Sequence, residues 1–321
     1  MKNFAKLIKL TLLVATSTVM FSCSDDDNVA PESNTIAAIA SRNPNFTTLV
    51  AALDRAGLVQ TLDQNGPFTV FAPTNAAFND FLADNGFTSL NDIPVDVLRE
   101  VLLNHVVNGN NTSTSLSTGY IKTLAKGSAS ETNTLSMYVN RSSGIFATNG
   151  ISIRLNGVAS VTAANLVASN GVIHVVDAVI GLPTVVTHAA ANPGFSTLVS
   201  LLTQQNLVST LDGTASSPFT VFAPNNDAFT TFETQNPGVL ASLTSAQVTA
   251  VLTYHVVAGA NVLSTGIPAT PITTFETGTF TIAGTTITDE RDRQTGIIAT
   301  DVQASNGVIH VVNNVLLPTF D

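Results

Sequence analysis

Apolar residues recur at helical spacing early in each half of the chain and at strand-like spacing late in each half. Phe46, Leu49, Val50 and Leu53 fall at i, i+3, i+4 and i+7, which predicts an amphipathic helix stopped by Gly57. Ile36, Ala37, Ile39 and Ala40 predict a short helix before it. Pro67 to Pro73 reads as a strand between prolines, and Thr74 as the N-cap of a helix through Ala76, Phe78 and Phe81. Pro94 opens another helix, with the stripe Leu98, Val101, Leu102 and His105. From Gly109 the chain turns Ser/Thr-rich, predicting strands that include Gly144–Phe146 and Gly150–Leu155. They close on Val172–Val176 after an Asn170-Gly171 turn.

The second half repeats this order. Phe195, Leu198, Val199 and Leu202 restate the first helix, and Thr244 with Gln247 forms a capping box ahead of Val248, Val251, Leu252 and His255. Strands follow, with Asp289-Glu290-Arg291-Asp292-Arg293 at an expected solvated hairpin tip, and Val308–Val312 closes the unit. Three blocks recur almost verbatim: LVQTLDQNGPFTVFAPTNAAF with LVSTLDGTASSPFTVFAPNNDAF, NHVVNG with YHVVAG, and SNGVIHVVD with SNGVIHVVN. Three ordered blocks make a tandem duplication. Helices early and strands late in each copy predict an α+β fold. The expected boundaries are residues 34–183 and 184–321, with so short a link that the copies should touch.

Each copy is long enough to hold its own core, burying about 70% of its unfolded surface. Charged residues are 11% of the chain and hydrophobic ones 44%, which excludes disorder as the main state. The net charge is −10, and loss of Lys2, Lys6 and Lys9 would leave 9 basic against 22 acidic residues, or −13. No basic patch is present for nucleic acid or anionic lipid.

Those three lysines form a positive region before the short apolar run Leu10–Phe21, which ends at Ser22-Cys23. Residues 1–22 are similar to a bacterial lipoprotein signal peptide, which implies Cys23 as the lipidated N-terminus and an outer-membrane anchor. The alternative is an ordinary secretory signal with Cys23 as an incidental thiol. Residues 23–33 read as an acidic tether, and Ser24-Asp25-Asp26-Asp27 resembles an export tag for display on the cell surface. Cys23 is the sole cysteine, so intramolecular disulfides are impossible.

The blocks FTVFAP, HVV and NGVIHVV, in that order in both copies, resemble the fasciclin-like domain. The resemblance spans about Asn34 to Leu317. It implies two tandem domains, each a wedge of β-strands packed with several short helices, and non-catalytic adhesion to cells, matrix or polysaccharide. It also implies an extracellular setting and a protein or polysaccharide partner. In some animal members a Tyr-His pair in mid-domain takes part in integrin binding. Tyr254-His255 match it, and Asn104-His105 depart from it at the first position. These four are the candidate partner-binding residues. Spacing favours core imidazoles for His105 and His255, and places the Tyr254 ring at the core edge with its hydroxyl reachable. Two other readings stay open: a glycan-binding component of a polysaccharide-uptake system, and a cell-envelope structural protein.

No nucleophile elbow, H-E-x-x-H helix, Walker loop or G-x-G-x-x-G turn is present. Neither a metal nor another cofactor is expected, since His174, His188 and His310 show no paired ligand spacing. Asn170 and Asn306 read as turn formers, Thr74 and Asn225 as helix caps, and Asp63 and Asp212 as caps of the turn into the PFTVFAP strand.

Overall fold

The computed structural model describes residues 33–143, 151–213 and 215–320. The leader, Cys23, Ser24–Asp27 and the expected strand around Gly144–Phe146 lie outside them. Residues Asn34–Asp321 form a compact unit that contains both repeats.

In the first repeat, α1 (Ile36–Arg42), α2 (Thr47–Arg55) and α3 (Val59–Asp63) precede β1 (Phe68–Pro73). Then come α4 (Asn75–Asp84), α5 (Val95–Leu103), β2 (Val106–Asn108), β3 (Gly119–Gly127), β4 (Ser130–Ser143), β5 (Ile151–Leu155), β6 (Ala159–Ala168) and β7 (Gly171–Val176). The second repeat runs α6 (Val185–Ala191), α7 (Ser196–Gln204), α8 (Val208–Asp212), β8 (Phe219–Pro224), α9 (Asn226–Gln235), α10 (Val239–Ser242) and α11 (Ser245–Tyr254). It ends in β9 (Val256–Ala258), β10 (Ile272–Thr273), β11 (Thr279–Ala283), β12 (Thr286–Thr288), β13 (Gln294–Ala304) and β14 (Gly307–Val312). The α+β pattern is therefore present twice.

FTVFAP forms the central strand of each repeat because it is apolar on both faces. β1 lies parallel to β7, with Phe71 opposite His174, and antiparallel to β2. β8 repeats this against β14 and β9. The seven strands of the first repeat close into a barrel through the Val107–Thr123 pair of β2 and β3. The second repeat keeps the strand order as an open sheet from β10 to β9.

The helices of each repeat share a core with its strands, Leu49, Leu98 and Leu102 with Val70 and Ile173 in the first and Leu198, Val251 and Leu252 with Val221 and Ile309 in the second. The Thr74 hydroxyl accepts from Ala77 N, and Asn225 Oδ1 from Ala228 N, so both act as N-caps. The Thr244–Gln247 capping box opens α11. Phe46 sits in the turn before α2 and is buried with Leu49 and Leu53. Gly171 and Gly307 let the parallel strands start in close contact: a Cβ would lie 2.0 Å from Phe68 O and 2.3 Å from Phe219 O respectively.

Candidate interaction residues

The repeated histidine stands where a helix hands over to a strand. His105 follows Val101 by four residues, so its ring folds back over the last turn of α5. Nδ1 lies 2.7 Å from Val101 O, and Nε2 accepts from Ile180 N at 2.9 Å. Because Nε2 accepts, Nδ1 carries the proton. His255 repeats the arrangement with Val251 O at 2.7 Å and Leu316 N at 2.9 Å. Each imidazole thus ties a helix end to the segment that closes its repeat. Burial lowers the pKa of both to about 4, so both are neutral at pH 7.

The residue before each histidine faces inward too. Asn104 is 0% exposed and donates to Gly181 O at 2.9 Å. Tyr254 is also 0% exposed, packs edge-on to Phe280, and donates its hydroxyl proton to Thr279 O at 2.7 Å. The same oxygen accepts from Glu290 N at 3.1 Å. The expectation of a reachable tyrosine hydroxyl is therefore corrected, since both its bonding capacities are used internally. Asn104, His105, Tyr254 and His255 hold the interior together and offer no outer contact surface in this conformation.

Other repeated polar residues play the same part. Asn170 Oδ1 accepts from Ile36 N, and its Nδ2 donates to Leu62 O and Gln64 O at 2.8 Å. Asn306 does likewise with Val185 N and Leu211 O. Each asparagine pins the first and third helices of its repeat to the terminal hairpin, a role beyond turn formation. Asp63 and Asp212 accept from the hydroxyls of Thr35 and Thr184, the N-caps of α1 and α6, rather than capping the turn into the strand. His174 and His310 stack on Phe71 and Phe222 and bond to Asn111 O and Val262 O. Among the described residues, no three His, Cys, Asp or Glu converge as a metal site.

The Asp289–Arg293 segment is the β12–β13 turn, and Arg291 and Asp292 are exposed there as expected of a tip, but Asp289 is not. Asp289 is 4% exposed and accepts from Arg291 N, Arg293 N and Leu317 N at 3.0 Å each. Arg293 donates to Val315 O, and Arg291 donates to Pro318 O while lying over Phe320. Charges at this turn therefore clasp the C-terminal segment. Alternation gave no signal for this, because the acceptors lie on backbone far along the chain.

The two repeats meet through β3 and β4 on one side and α6, β13 and the β13–β14 turn on the other. Ala129 N and Ser128 Oγ donate to Ser305 O at 2.9 and 3.0 Å. Gln303 N donates to Ser136 Oγ, and Lys122 Nζ to Asp301 O at 2.9 Å. Tyr120 meets the buried His188 ring edge-on and donates to His188 O. A Cβ on Gly127 would lie 2.4 Å from Ser305 Cα, so glycine permits this contact.

A family model for the Fasciclin domain matches residues 44–183 and again residues 193–318. The chain belongs to the fasciclin domain family. Protein sll1483 of Synechocystis sp. is 38% identical over 146 residues, which cover 46% of this chain and 72% of that protein. Periostin of Homo sapiens is 27% identical over 280 residues, 85% of this chain and 31% of periostin. The FAS1 domain pair of the insect cell adhesion molecule fasciclin I shares the fold, with a TM-score of 0.54 and 19% identity. That match covers 84% of this chain and 97% of the pair. The fasciclin domains here thus occur as a tandem pair, like those of the insect molecule.

Proposed function

We propose that this fasciclin pair is an adhesion protein anchored to a cell surface through Cys23, binding an extracellular protein or polysaccharide by non-covalent contacts. The observation that carries the reading is the junction. Ala129, Ser128, Ser136 and Lys122 each bond across it, holding two related domains side by side. Two weak sites at fixed separation reinforce each other when a ligand spans both. The name of the insect relative, a cell adhesion molecule, points the same way. The motif residues serve the interior, so the binding faces lie on the variable outer side chains, where the repeats differ.

The test is genetic. Deletion of the gene lowers attachment and biofilm formation, and the full chain restores both. Cys23→Ala, which removes the lipid site, releases the protein to the medium and does not restore them. A deletion strain that adheres like its parent would contradict the proposal.

A further inference from the structure

The helical layers of the two repeats differ where a cavity opens. Beneath α9, α10 and α11 lies a cavity of about 130 Å³ bordered by Leu201, Phe229, Leu240, Leu243, Val248 and Val251. His255 also borders it, with both ring nitrogens already bonded. The cavity therefore offers carbon surface and almost no hydrogen-bonding group. An apolar cavity of roughly 150 Å³ stays dry and holds benzene.

The first repeat shows what is missing. Leu98 at the position of Val248, and Ile93 at that of Leu243, are each 1% exposed. Val248 and Leu243 are half-buried. Leu82 packs on the first core, and its counterpart in α9 is Glu233. Phe87, also packed on that core, has no aromatic counterpart between Phe232 and Tyr254. Leu201 replaces Ala52 and restores only part of the lost volume. The wall is thinned at its outer side, where Glu233 stands half-buried and accepts from Gly238 N.

A shallow polar depression adjoins the cavity and shares Thr197, Phe229 and Leu240 with it. Its remaining wall carries Asn226, Thr230, Glu233 and Thr234. Carbon surface inside and hydroxyl, amide and carboxylate groups at the mouth define an amphiphilic site. We propose that the second repeat binds a small amphiphile, with an apolar body the size of a benzene ring in the cavity and a hydroxyl at the Thr230–Glu233–Thr234 mouth. The first repeat, closed by Leu82, Phe87 and Leu98, lacks the site. This goes beyond the adhesion reading and stands or falls separately from it.

The test is a methyl-resolved NMR titration of the intact chain with benzyl alcohol, with toluene as the comparator lacking a hydroxyl. Saturable shifts are expected at Leu240, Leu243 and Val248 and not at Leu98, with toluene binding more weakly. The double variant Glu233→Leu, Val248→Leu installs first-repeat residues and abolishes the shifts, while its thermal midpoint stays at or above that of the parent. Val248→Leu alone adds one methylene to the wall and weakens binding about tenfold. No saturation at millimolar benzyl alcohol, or equal shifts in the double variant, overturns the site. Toluene binding as tightly as benzyl alcohol overturns the assignment of the hydroxyl to the mouth.

Discussion

Acidification should unfold this protein through its histidines before its carboxylates take part. Burial holds His105, His188 and His255 at a pKa of about 4, against 6.5 for an exposed imidazole. Between those values the unfolded chain binds more protons than the folded one, so stability rises with pH and falls as pH drops. Each histidine with this shift costs about 2 kcal/mol between pH 7 and pH 5, from the ratio of proton-binding polynomials of the two states. His174 and His310 are lowered as well, chiefly by burial, and add loss of the same sign. Asp92, Glu290 and Asp301 are held below the usual carboxylate range, so their contribution is lost below this window. The second repeat holds His188 and His255 and should lose about 4 kcal/mol, while the first, with His105, should lose about 2. The assay is urea unfolding at pH 7 and pH 5, followed by methyl NMR signals assigned to each repeat. His255→Gln removes about 2 kcal/mol of the pH-dependent loss from the second repeat, whatever it does to stability at pH 7. An unchanged pH dependence in that variant would refute the reasoning, because it would mean that His255 is not the buried neutral ring described.

Three further outcomes follow from the geometry. Asn306→Ala leaves Val185 N and Leu211 O unpaired in the interior and should destabilise the second repeat by about 3 kcal/mol, measured by urea unfolding. Asp289→Ala strips the buried Leu317 N of its acceptor and should cost a similar amount, about 3 kcal/mol, with faster amide exchange from Val315 to Thr319. In Gly127→Ala the new methyl must move Ser305 by about 1 Å to reach ordinary carbon contact, so exchange at Ala129 N should rise while the repeats stay folded.

Much of this fold can be read from the chain because its signals are local. The periodicity of Leu49, Val50 and Leu53 specifies a face, Thr74 and Thr244 announce helix starts, and the flanking prolines delimit FTVFAP. Duplication adds weight, since each element is stated twice. The interior placement of His105 and His255 was legible for the same reason: each falls seven residues along an apolar stripe.

The roles of polar residues whose partners are distant were not legible. Tyr254 lies one residue off the stripe, which suggests an edge position, yet β11 and the Glu290 backbone close over it. Asn170 and Asn306 look like turn residues because their partners lie 106 to 134 and 95 to 121 positions away. A run of five charged residues looks solvated until the C-terminal backbone that it grips is in place. The cavity of the second repeat was hidden for a different reason. Val248 for Leu98 keeps the apolar pattern and Glu233 for Leu82 reads as an ordinary exposed helix position, and only their convergence in space opens a void.

The central claim is that partner binding uses the outer faces of the joined pair, while the Tyr-His positions serve the interior. It is tested most directly by saturation binding of the purified intact chain, and of its Tyr254→Phe variant, to cells of the parent strain and to immobilised polysaccharide. The account predicts saturable binding to at least one of these surfaces, with equal affinity in the variant even though the hydrogen bonds to Thr279 O and from Glu290 N are lost. A folded chain that binds neither surface would contradict adhesion. Binding that disappears in Tyr254→Phe, with the fold intact, would contradict the interior assignment of the pair.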